Sequence, residues 1–295
     1  SMQNAITVGA FVPREFSGTV FSVHDHAINI KDDNDHRLIS IVDREQDMTG
    51  LSILAPRLPT GISRGQRVAI HDDHLSVLAT PDGSAAAISL RTSGDFPLFS
   101  GSITDALFDV TQATICGQLP VIRNAVLAHG SPVGLRDLVG GPPHPCTGGT
   151  APMQPRPSSV FVRRAFDVID AIGEAGPSAD LSGLVGLGIG FTPSGDDFIM
   201  GFLASGAASF GSAEVDHEAV RGRLRGTTVG GATLLRLALD GSFPAYMLEF
   251  VDELRVSVSR AVISAVSHGE SSGTDALAGF VCGLASICTA EKLDE

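Results

Sequence analysis

Three glycines alternate at Gly186, Gly188 and Gly190, a Thr192-Pro193-Ser194-Gly195 turn follows, and Asp196-Asp197 then leads into an apolar run from Phe198. This stretch, Gly186–Phe198, constrains the fold more than any other. It reads as a flexible loop delivered onto the first turn of a buried helix. Such a helix start collects backbone N–H groups that lack an intrahelical partner and carries the positive end of the macrodipole. It suits an anion or a polar substrate. Glycine permits positive φ and close approach of a ligand to the backbone. The spacing is not the dinucleotide-binding fingerprint: the third glycine comes one position early and no βαβ unit surrounds it.

The chain repeats the pattern. Ser272-Gly273-Thr274-Asp275 follows Ser194-Gly195-Asp196-Asp197 at a distance of 78 positions, and Gly279-Phe280 follows Gly201-Phe202 at the same distance. Small residues stand four apart on both predicted helices, at Gly201 and Ser205 and at Gly279 and Gly283. They predict close approach of helix axes, at a cost of about 1 kcal/mol of helix propensity per glycine.

The 295 residues, 43% of them hydrophobic, bound a globular chain of one large or two modest domains. The first hundred residues predict short strands. Ser17–Ile30 forms a pair broken at His24-Asp25-His26, Arg37–Asp43 follows, and Arg67–Asp72 and Leu75–Leu78 flank a turn at Asp72-Asp73-His74. From Ile103 the spacing becomes helical. Helices are predicted over Ile103–Gln118, Val121–His129, Val160–Gly173, Asp196–Phe210, Ala219–Arg225, Gly231–Leu239, Phe243–Ser267 and Thr274–Ala290. Gly140–Pro157 reads as a long irregular connection. The expected class is α+β: a small antiparallel β-barrel or sandwich over 1–100, then a mainly helical domain over 101–295.

The net charge of −13 argues against nucleic-acid or anionic-membrane partners, and no apolar run is long enough to span a bilayer. No secretory leader is expected, because the first residues lack a basic region followed by an apolar core. Four scattered cysteines without a C-x-x-C pair suggest incidental thiols in a reduced, cytoplasmic protein. Lys31 and Lys292 are the only lysines. Schiff-base chemistry and a lysine phosphate loop are therefore disfavoured, and arginine becomes the expected fork for anions.

Asp196, Asp197 and Asp275 are the candidate acid–base groups. Two readings stand beside each other: helix caps and dipole partners, or one aspartate for proton transfer or substrate NH groups while the other orders the loop. Arg221, Arg223 and Arg225, followed by Thr227-Thr228, offer either an anion clamp or a solvated face with a cap. Gly188, Gly190, Thr192, Ser194, Gly195, Arg225, Thr227, Thr228, His268, Ser272 and Gly273 are the candidate binding residues. His24, His26, Asp32 and Asp33, and likewise His144 and Cys146, lack the defined geometry of a metal site, so no metal or other cofactor is expected.

The stretch Gly186–Gly201 resembles the signature of the AllH-type family, which usually runs Gly-Leu-Gly-Pro-Gly-Leu-Thr-Pro-Ser-Gly-Asp-Asp. Here Ile189 replaces the proline and Phe191 the second leucine. Thr227-Thr228, Gly241-Ser242-Phe243 and Ser272–Asp275 are similar in the expected order. The resemblance implies a subunit of oxamate carbamoyltransferase, acting with other protein subunits in purine-ureide (allantoin) breakdown. It implies binding of small anions such as carbamoyl phosphate, oxamate or phosphate, with transfer of a carbamoyl group between oxalurate and phosphate. A non-catalytic scaffold or regulatory subunit, and a metal-dependent hydrolase using Asp196, Asp197 and Asp275, are the alternatives.

Overall fold

The computed structural model describes residues 2–34, 37–77, 86–90, 98–103, 112–140, 160–175, 178–209 and 214–290. His144, Cys146 and most of the Gly140–Pro157 connection lie outside them, as do Leu107 and Val110. The chain divides into two compact units, Ser1–Gly101 with Ser242–Tyr246, and Ser102–Gly241 with Met247–Glu295.

The first unit is a nine-stranded, mostly antiparallel sheet. Its strands are β1 (Met2–Asn4), β2 (Thr7–Val8), β3 (Phe16–Val23), β4 (Ala27–Asp32), β5 (Leu38–Val42), β6 (Ser52–Leu54), β7 (Arg67–His71), β8 (His74–Val77) and β9 (Ala86–Ser89). They run in the order β1-β9-β8-β7-β3-β4-β5-β6-β2. Alternation along β3 buries Phe16, Gly18 and Val20 and turns the intervening residues outward. Asp72 and Asp73 both take positive φ, at 49° and 61°, and form the two-residue turn between β7 and β8. Both positions of such a hairpin turn demand the left-handed region, which Asp tolerates better than most residues. The N-terminal segment closes the sheet. Ala5 donates its N–H to Ser89 O at 2.8 Å on one edge, and Ile6 donates to Leu54 O at 2.8 Å on the other. The expected small antiparallel barrel is thus present, with parallel pairing at β1–β9 and β5–β6.

The second unit holds the helices: α1 (Gln112–His129), α2 (Val160–Ala175), α3 (Ser194–Ser209), α4 (His217–Arg223), α5 (Val229–Leu239), α6 (Ala245–Glu253, whose first two residues belong to the first unit), α7 (Val258–Val266) and α8 (Ser272–Ala290). A parallel pair of two-residue strands, β10 (Ser178–Ala179) and β11 (Glu214–Val215), completes it. The helices depart from expectation in two places. Val121–His129 is not separate; α1 runs through Pro120, which removes one N–H but does not end the helix. The expected helix over Phe243–Ser267 is two helices. Ser257 takes an extended conformation (φ −157°) and its hydroxyl accepts from Arg260 N–H at 3.3 Å, capping α7.

The cysteines also depart from expectation. Cys116 on α1 and Cys288 on α8 form a disulfide with Cα atoms 5.8 Å apart. They are 172 residues apart in sequence, and only the packing of α1 on α8 brings them together. Cys282 remains a thiol, and burial pushes its pKa up to about 12, so it is inert as a nucleophile. Among the described residues no helix is long and apolar enough to cross a membrane.

The core of this unit is the contact between α3 and α8. Phe198, Ile199, Met200, Leu277, Phe280 and Leu284 are fully buried. A side chain on Gly201 would overlap the carbonyl oxygen of Ala276, and one on Gly279 would overlap that of Phe198. These contacts are reciprocal: Phe198 and Gly201 stand to Ala276 and Gly279 at the same 78-residue displacement as the repeated motif.

Candidate functional site at the paired starts of α3 and α8

The first turns of α3 and α8 lie side by side. The hydroxyls of Thr192 and Ser272 are 3.3 Å apart, which fixes the two entrances at the same end of the contact. Pro193 O accepts the Asp197 N–H at 3.2 Å, and Ser271 O accepts the Asp275 N–H at 2.8 Å, again equivalent positions of the repeat.

Asp196 is a brace. Its Oδ1 accepts the Gly186 N–H at 2.8 Å and its Oδ2 accepts the Thr227 hydroxyl. Burial raises its pKa, partly offset by these two donors. Both oxygens are spent on holding the glycine loop and the start of α5 against α3. Thr228 completes that joint. Its hydroxyl accepts from Gly231 N–H at 2.9 Å as the α5 cap and donates to Phe191 O at 2.6 Å. Thr227 and Thr228 therefore serve loop and cap in this structure rather than presenting paired hydroxyls outward. Thr228→Ala should cost about 1–2 kcal/mol in a urea titration, with hydrogen exchange rising at Gly231 and along 188–191.

Asp197 and Asp275 are different. Asp197 is buried, and Thr192 donates to its Oδ2 at 3.1 Å. Burial pushes its pKa well above the carboxylate range, the Ser272 and Thr192 hydroxyls pull it back, and the charges of Asp275 and Asp196 push it further up. Asp275 is 0% exposed. Its Oδ1 accepts the Leu135 N–H at 2.6 Å, while its Oδ2 makes no hydrogen bond of its own. Burial lifts its pKa to about 6, against the opposing influence of Leu135 N–H and of the hydroxyls of Ser194 and Ser271.

The glycine loop is left-handed at all three glycines, with φ of 74° at Gly186, 115° at Gly188 and 107° at Gly190. Ile189 at its tip is 84% exposed. Thr192, Ser194 and Ser272 are half-buried. Gly195 and Gly273 are buried where their helices meet Leu184 O and Ala265 O, so they serve packing.

Arg221 pairs with Asp240 at 2.6 Å. Arg223 and Arg225 are exposed around the turn Leu224–Gly226. His268 is half-buried before α8, and its carbonyl accepts the Gly273 N–H at 3.0 Å. His24, His26, Asp32 and Asp33 do not converge: they engage Ser22, Asp43, Arg37 and Arg67 respectively. Among the described residues, the group whose ligand atoms lie together is Glu15, His71 and Asp72, all exposed on the barrel.

The sequence reading missed the segment after α1. Ser131 N–H donates to Thr274 Oγ1 at 2.9 Å and Leu135 N–H to Asp275. Gly134 (φ 91°) passes so close to the Asp275 carboxyl that any side chain there would strike it. The available signal was the Gly130-Ser131-Pro132-Val133-Gly134 turn directly after a helix.

Two family models match the chain in tandem. The AllH family N-terminal domain covers residues 4–93, and the family described as oxamate carbamoyltransferase subunit AllH covers residues 184–284. Together they cover more than half of the chain, and the second contains both helix starts. The chain belongs to the AllH family. No curated protein and no solved structure gave a significant match.

Proposed function

We propose that the chain is a subunit of oxamate carbamoyltransferase that contributes a binding site for small anionic metabolites where the Gly188–Gly195 loop meets the starts of α3 and α8. Family membership supports the enzyme, and the multi-subunit assembly follows from the family's description as a subunit. The observation that carries the site is the convergence of two helix starts over hydroxyls at Thr192, Ser194 and Ser272. Helix starts favour negative charge, and exposed Arg225 on the neighbouring turn adds to that field.

Buried carboxylates beside an anion would repel it. The raised pKa of Asp197 eases that objection, since a neutral acid donates a hydrogen bond where a carboxylate only accepts, while Asp275, at about 6, is protonated only in mild acid. An anion would then be met by hydroxyl and amide donors, with the protonated Asp197 behind them.

A second reading, the non-catalytic scaffold, draws on Asp196, Thr227 and Thr228, whose polar groups are engaged internally. Calorimetric titration decides between the two. The full chain, alone and with its partner subunits, should release or take up heat with millimolar carbamoyl phosphate, phosphate or oxamate. Asp197→Asn should abolish that heat. Silence under every condition would leave the scaffold reading standing and remove the proposed site.

A further inference from the structure

We infer that the Cys116–Cys288 disulfide is a reversible redox latch, which a dithiol opens to free the first turns of α1, up to Leu119, from the end of α8 while the rest of the unit stays folded. α1 is held unevenly along its length. Its second half is anchored by packing: Ile122, Ala125 and Val126 are buried, and the segment that follows adds Leu135, Leu138 and Val139. In that segment Ser131 N–H and Leu135 N–H also bond Thr274 and Asp275 at the start of α8. The first half has far less. Among the described residues of 114–120, Ile115 is the only fully buried side chain, and Thr114, Gly117 and Pro120 are exposed. Gln118 adds one bond, donated to Leu254 O at 3.1 Å. What else ties these turns to α8 is the bond from Cys116 to Cys288.

The same turns have the least intrinsic helix strength in α1. Pro120 has no N–H to donate to Cys116 O, the acceptor four residues back, and its ring crowds that carbonyl. Gly117 is the poorest helix former after proline, and no packing requires it: nothing lies within 4 Å of a side chain added there. A segment with weak propensity and little burial opens locally before the rest of its unit. The covalent tie to Cys288 opposes that opening. Cys116 and Cys288 are both partly exposed, so a reductant can reach the sulfurs in the folded chain.

Opening is a thiol–disulfide exchange. A thiolate of the dithiol attacks one of the two sulfurs, displaces the other and forms a mixed disulfide. Its second thiol then attacks that mixed disulfide. The reductant leaves as a disulfide, and the protein gains two electrons and two protons as a pair of thiols. The freed turns bare Ile115, which is 1% exposed while the latch is closed. The bonds that Ser131 and Leu135 make to α8 lie at the other end of α1 and survive, because packing holds that end. The latch does not depend on what the helix starts bind.

The test is amide hydrogen exchange on the full chain, oxidised with glutathione disulfide or reduced with dithiothreitol, with alkylation and mass measurement counting the free thiols. Reduction should speed exchange over 116–119 by about tenfold or more and leave Leu135 and the α3 amides over 198–202 within about twofold. Reoxidation should restore the slow rates. Cys116→Ser and Cys288→Ser should each exchange like the reduced protein under both conditions, and Cys282→Ala should still respond to reductant as the wild type does. Equal rates over 116–119 in the fully oxidised and fully reduced chain would overturn the inference. So would protection lost along α3 together with α1, which would make the bond a staple of the whole unit. Failure of the two sulfurs to pair on oxidation would overturn it as well.

Discussion

Gly201→Ala should destabilise the chain by about 3 kcal/mol, and Gly201→Val or Gly279→Val should prevent it from folding. Helix propensity alone predicts the opposite, since replacing a mid-helix glycine by alanine ordinarily gains about 1 kcal/mol. The sign reverses because the added carbon would overlap a backbone carbonyl, Ala276 O for Gly201 and Phe198 O for Gly279. A backbone atom has no rotamer to escape into, so the axes of α3 and α8 would have to separate. That separation opens the most fully buried layer of this unit, Phe198, Ile199, Leu277 and Phe280, each 0% exposed. It would also part the two helix starts and so disturb Asp197 and Asp275 together. Gly222 in α4 is the internal control. Nothing lies within 4 Å of a side chain added there, so Gly222→Ala should follow propensity and stabilise slightly. Urea titrations of these variants followed by circular dichroism measure all of this. A Gly201→Ala protein as stable as wild type would show that the α3–α8 contact is looser than described.

This contact also shows what the sequence could reveal and what it could not. The repeated Ser-Gly-x-Asp motif and the small residues four apart were visible, because they are properties of residue type and spacing. They foretold two close-packed helices whose starts carry acids. The strands at Phe16–Val23, Leu38–Val42 and around the Asp72-Asp73 turn were visible for the same reason, as alternation and turn chemistry are local. The partner of each acid was not visible. Leu135 acts on Asp275 through its backbone N–H, and Gly134 by having no side chain, so neither advertises itself in the sequence. The break between α6 and α7 escaped because Val256-Ser257 carries no glycine or proline; its cap is recognisable only once Ser257 is seen to be extended. The Cys116–Cys288 bond escaped because it joins positions 172 residues apart. Strands as short as β1 and β2 lie below the length at which alternation can be read at all.

Asp275→Asn should make the protein more stable at pH 7.5 and less active. In the unfolded chain this carboxyl ionises around pH 3.8, whereas in the fold burial holds its pKa at about 6. Below pH 3.8 both states are protonated, and the group has no bearing on the balance between them. As pH rises from there towards 6, the unfolded chain releases its proton and the folded one does not, so stability falls. Above 6 the full penalty is present, at most about 3 kcal/mol for a shift of this size. Asparagine keeps a carbonyl oxygen for the Leu135 N–H and never ionises. Its advantage in melting temperature should therefore appear above pH 4, reach a plateau above pH 6 and vanish in acid. Carbamoyl transfer by the reconstituted complex should move the other way, falling about 100-fold, because the amide can neither take up nor release a proton. A residue kept only for packing would not produce this opposition: its neutral isostere would stabilise the fold and leave turnover alone. Equal melting curves for the two proteins across this pH range would contradict the raised pKa, and unchanged turnover would remove Asp275 from the site.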